Sequence, residues 1–108
     1  MFGGNMMELL QQAQKIKGQM QSLQDALADK RVEATSGGGM VKAVANGKQR
    51  LISLSIEPEV LKDATMAQDL IVAAVNQALQ ASQEMVSEEM SKVMGNLGPM
   101  GAFLKGGL

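Results

Sequence analysis

Six basic side chains in the first half of this 108-residue chain, Lys15, Lys17, Lys30, Arg31, Lys48 and Arg50, have the chemistry to hold phosphate oxygens. Ammonium and guanidinium groups neutralise phosphates by charge and position a polyanion without reading its sequence. The net charge of −1 does not by itself draw in a polyanion, but it is unevenly divided. Residues 1–56 hold seven basic against four acidic side chains, and residues 57–108 hold three against seven. Any polyanion contact must therefore come from a local patch in the first half. For each of the six residues taken alone, solvated surface charge is the ordinary alternative. Lys15 and Lys17 lie about 200° apart around a helix and cannot share one patch within a single chain. A symmetry-related copy could bring such charges together.

The other constellations are weaker. Gly37-Gly38-Gly39 lacks the following Gly-Lys-Ser/Thr and helix of a phosphate loop, and reads as a connecting turn. Glu84, Glu88 and Glu89 lack the further oxygen ligands a hard cation needs. Met85, Met90 and Met94 suit core or dimer packing better than an adaptable groove. With no Cys and no His, disulfides, Cys/His zinc sites and nucleophile–His pairs are excluded. Two Phe and no Trp or Tyr leave little to stack bases on. No tuned acid–base pair stands out. We expect no enzyme, no cofactor, no metal and no small-molecule substrate. No apolar run approaches the roughly 20 residues of a membrane span, and the start lacks the pattern of a signal peptide. The chain reads as soluble and cytoplasmic.

The elements that must position the basic groups can be read from periodicity. From a capping-box-like Asn5 and Glu8 to about Asp29, the apolar positions Met6, Leu9, Ala13, Ile16, Met20, Leu23 and Leu27 follow an unbroken 3,4 spacing. That is the seam along which one helix packs on another, as in a coiled coil. Residues 31–56 switch to period two. Asn46-Gly47 predicts a two-residue type I′ hairpin that pairs Ala45 with Lys48, Ala43 with Arg50 and Val41 with Ile52. Val41, Ala43, Ile52, Leu54 and Ile56 would form the buried face. Arg31 to Ser36 is a preceding strand, and Glu59 to Lys62 a single turn after Pro58. Thr65 with Gln68 predicts a second helix running to about Met94, apolar almost all round from Leu70 to Leu79 and so buried on more than one side.

The fold expected is α+β, in the order α-β-β-β-α, with a three-stranded antiparallel meander and two helices longer than the sheet can cover. Their free ends call for a homodimer, intertwined or side by side. Its interface is assigned to Leu9, Ile16, Met20, Leu23, Leu27, Leu51, Val86 and Met90. Residues 1–94 form one domain, and the glycine-rich 95–108 a flexible tail.

This order of elements resembles the YbaB/EbfC family of bacterial nucleoid-associated proteins. The resemblance is carried by the Met-Leu-Gln-rich opening from Met6 to Leu27, the stretch from Gly37 to Val44, and Asn46-Gly47. It continues through Leu51 to Leu61 and Asp69 to Ala78 to the Gly/Met/Leu tail. The resemblance implies a homodimer whose paired helices project as a pincer. Such a dimer would bind duplex DNA with little sequence preference, alter its conformation and organise the nucleoid. It transfers no residue-level signature, so the DNA-binding assignment of Lys15, Lys17, Lys30, Arg31, Lys48 and Arg50 rests on charge and expected exposure. The rival reading is a protein–protein adaptor serving a DNA replication or recombination factor.

Overall fold

A computed structural model describes residues 2–95, with side chains from Asn5 onward; the glycine-rich tail expected at 95–108 lies outside them apart from Gly95. The elements are α1 (Phe2–Asp29), β1 (Arg31–Ser36), β2 (Val41–Asn46), β3 (Leu51–Ile56) and α2 (Ala64–Gly95), with single helical turns at Gly37–Gly39 and Val60–Lys62. The sheet is an antiparallel meander in the order β1-β2-β3. The α-β-β-β-α order is therefore as expected.

α2 lies across β1 and β2 and makes the core. The meeting surface is built from small residues: Val41, Ala43 and Ala45 of β2 against Ala67, Ala74 and Ala78 of α2, with Val60 beneath. Methyl-sized side chains let a helix approach a sheet closely, and larger neighbours such as Val32, Ile56, Leu70, Ile71, Val75 and Leu79 close the rim. Ser82, fully buried, continues the alanine line and donates its hydroxyl to the Asn46 carbonyl at 2.5 Å. Burial thus falls on one side of α2, and Val72 is 57% exposed. The expectation that Leu70 to Leu79 is covered on more than one side does not hold within the chain, because the sheet offers a single face.

The helix starts also differ from expectation. α1 begins at Phe2 and runs straight through Asn5, which is exposed. α2 is capped by Asp63, whose carboxylate accepts the Met66 N–H at 3.0 Å, rather than by Thr65. Asp and Thr are both good cap residues, and Asp63 comes first.

The hairpin register is the largest correction. Val41 pairs with Ile56, Ala43 with Leu54 and Ala45 with Leu51, four residues away from the expected pairing at Val41. Between Val44 and Ala45 the partner advances from Ser53 to Leu51, so Ile52 is an extra residue at a bulge and leaves the predicted buried face. The connection is a three-residue loop, not a type I′ pair. Gln49 donates to the Asn46 carbonyl at 3.1 Å and takes the left-handed position with φ 61°. This is the turn-plus-bulge loop that is the next most common hairpin connection. The Asn46 side chain stabilises it, accepting the Lys48 and Arg50 N–H groups at 2.9 and 3.1 Å.

Candidate nucleic-acid interface

α1 leaves the body as an arm, and the molecule measures 74 × 24 × 17 Å. Only its last turns are anchored. Leu27 is 6% exposed and Leu23 half-buried, whereas Met6, Leu9 and Ile16 are 57–63% exposed and Met20 38%. The root of the arm is fixed by backbone chemistry. The Leu27 carbonyl, which has no partner inside a helix that ends at Asp29, accepts the N–H of Gly47 at 2.8 Å and of Lys30 at 3.2 Å. Gly47 is required here for space: a Cβ at this position would lie 2.5 Å from the Leu27 oxygen.

This junction gathers four of the six basic residues. Arg31 is opposite Asn46 in the β1–β2 register, and Lys48 and Arg50 are in the turn that follows Asn46. Lys30 precedes Arg31 at the arm's root. Lys48 and Arg50 are exposed, and neither side chain makes a hydrogen bond or ion pair among the described residues. Arg31 donates to the Ala28 and Lys30 carbonyls at 2.8 and 3.2 Å, closing the end of α1. Lys30 is paired with Glu89 of α2 at 2.5 Å, and Lys92 lies 3.7 Å from the same carboxylate oxygen. Lys30 donation holds the Glu89 carboxyl below the usual carboxylate range against a smaller opposing effect of desolvation. Lys15 and Lys17 stand apart on the exposed arm, about 18 and 15 Å along the helix from Leu27. They are brought near neither each other nor the junction.

The sequence reading missed Glu89 as a partner of Lys30 and missed Ser82 as the buried link between α2 and the hairpin turn. Fifty-nine residues separate Lys30 from Glu89, and no local spacing connects them. Glu84, Glu88 and Glu89 do not form a metal cluster: no group of three or more potential ligands comes together among the described residues. No helix among the described residues is long and apolar enough to cross a membrane.

The chain has close relatives. It is 48% identical over 105 residues to a nucleoid-associated protein of Pelotomaculum thermopropionicum, covering 95% of this chain and 100% of the relative. It is 49% identical over 105 residues to one from Desulforamulus reducens, with the same coverage. The crystal structure of an uncharacterized protein from Helicobacter pylori superimposes with a TM-score of 0.62 at 27% identity, over 72% of this chain and 93% of that one. The profile of the YbaB/EbfC DNA-binding family matches residues 2–97, and the chain belongs to that family.

Proposed function

We propose that this chain is a nucleoid-associated protein that binds duplex DNA as a homodimer, with little sequence preference, and alters the conformation of DNA in the nucleoid. The observation that carries this reading is the cluster of Lys30, Arg31, Lys48 and Arg50 at the root of a projecting arm, in a chain of a DNA-binding family. Groups aimed at backbone phosphates discriminate little between sequences. The relatives' designation as nucleoid-associated proteins supports a cytoplasmic, nucleoid location. The unanchored stripe of Leu9, Ile16 and Met20 supports a dimer, joined by Leu23, Leu27, Leu51, Val86 and Met90. We further assign residues 1–94 to one binding and dimerisation domain and 95–108 to a flexible tail.

The test is duplex-DNA gel-shift titration at two or more salt concentrations. If half of the twelve basic groups of a dimer engage, about six phosphates are neutralised. At about −0.9 per phosphate, the slope of log affinity against log salt is then near −5. Replacing Lys48 and Arg50 by Ala flattens the slope and weakens binding to all sequences alike. Replacing Lys30 and Arg31 does the same. Lys62, paired with Glu59 at the opposite end of the sheet, is the control whose removal matters little. Salt-independent binding, or an equal loss with Lys62→Ala, would put the adaptor reading ahead, with the exposed Met6, Met7, Leu9 and Leu10 as its docking surface.

A further inference from the structure

The two edges of the sheet are built in opposite ways. β1 exposes Arg31, Glu33 and Thr35. β3, Leu51-Ile52-Ser53-Leu54-Ser55-Ile56, has no charge and no proline, and is the edge furthest from β1. Its apolar side chains are open, with Leu51 43%, Ile52 45% and Leu54 37% exposed. A free edge in a lone protein is ordinarily guarded by charge, proline or a covering element, since its unpaired N–H and C=O groups otherwise recruit another strand. The bulge at Ile52 adds a further apolar side chain instead of a guard. The flank of α2 on this side is apolar too. Val86 and Gln83 line a groove with Gly47, Lys48 and Gln49, and Leu79 lies one to two turns earlier beside Gln49.

We propose that β3 is the edge along which two copies of this chain join their sheets, antiparallel about a twofold axis near Leu54, into one six-stranded sheet. A second copy is the occupant because the strand is complementary to itself. A twofold contact sets each residue against its own twin or a near neighbour, so a charged strand would meet its own charge. β3 has none. With Leu54 opposite its twin, Ser53 faces Ser55 on the side away from α2, and the Leu54 pair lies on the side where α2 and its twin stand. A stable dimer buries about 800 Å² per partner, more than six residues of strand supply. The α2 flank at Leu79 and Val86 is contiguous with the strand and adds to it.

This inference rests on the dimeric reading above and is tested separately from it. Light scattering of the wild-type chain at micromolar concentration should give twice 11.4 kDa. Leu54→Lys and Ser55→Lys should each halve that mass with helix content unchanged, while Thr35→Lys on the β1 edge leaves it doubled. A wild-type mass of one chain overturns the dimer and this edge together. A wild-type dimer that persists in both β3 variants overturns the edge alone. Hydrogen exchange on the wild type decides the matter without a variant. All six β3 amides should exchange as slowly as those of β2, and fast exchange at alternate β3 positions would mean that the edge is free.

Discussion

The two long helices have nearly the same length and opposite situations. α2 turns its smallest residues, Ala67, Ala74, Ala78 and Ser82, onto the sheet and buries them all. α1 has the larger and more regular apolar stripe, yet most of it stands in solvent. Hydrophobic side chains fully buried are each worth about 1.5–3 kcal/mol relative to exposure, so the uncovered positions Leu9, Ile16 and Met20 represent stabilisation the single chain cannot collect. The difference teaches that regular patterning shows a helix's appetite for a partner, while the size of the residues on the stripe shows how close that partner comes. Small residues mark the packing that holds the chain's own fold. Large ones mark what is left for assembly.

The sharpest way to break this comparison is to place the same charge on each helix. Ala78→Asp puts a carboxylate among Ala43 and Ala45 with no partner. The cost is about 3 kcal/mol or more, and at roughly 4–8 °C per kcal/mol for a body of this size the melting temperature falls by well over 10 °C or folding fails. Leu9→Asp falls on a residue 63% exposed and should keep the native circular dichroism spectrum while reducing association. An unfolded Leu9→Asp chain would show that α1 is part of the core, and the comparison would collapse.

A middle-sized effect is expected where the helices are tied together. Gly47→Ala forces a Cβ against the Leu27 carbonyl and must displace either the arm's root or the hairpin turn. Overpacking of this kind costs about 1–3 kcal/mol. The Asn46–Ser82 link lies in the same turn, so the loss should appear in thermal melts and in faster exchange of the Gly47 amide. Unchanged stability with Gly47→Ala would mean that the arm's root is not fixed as described.

The sequence showed the elements because each has a local signature: the 3,4 stripe of α1, the alternation in β2, and the glycines after β1. It misplaced the hairpin register because Asn46-Gly47 serves two loop types. What selects between them is Gln49 accepting a left-handed conformation, which nothing in its neighbours announces. The stripe of α1 was legible, but its division into an anchored end at Leu23 and Leu27 and a free arm was not. That division depends on Gly47 meeting Leu27 across twenty residues. Among the basic residues charge alone was visible. Whether Lys30 is free or held depends on Glu89, a partner that only the tertiary fold supplies.

That pair gives the smallest and most conditional effect. Glu89 has a lowered pKa in the folded chain because Lys30, and more weakly Lys92, favour its charged form. Its contribution to stability is fully present above the carboxyl's ordinary pKa of 4.5 and is lost as pH falls through the lowered folded value. The pair joins the root of α1 to α2 but is partly solvated, with Lys30 42% and Glu89 22% exposed, so its effect stays well below that of Gly47→Ala. Glu89→Gln should therefore lower the melting temperature slightly at neutral pH, and the two proteins should converge on acidification below about pH 4, where the wild-type carboxylate takes up its proton. The same substitution frees Lys30, and DNA affinity at fixed salt should rise while stability falls. A fall in both would mean that Lys30 needs Glu89 to be positioned for phosphate. Equal melting temperatures across the whole pH range would mean that the bridge contributes nothing to holding the arm on the body.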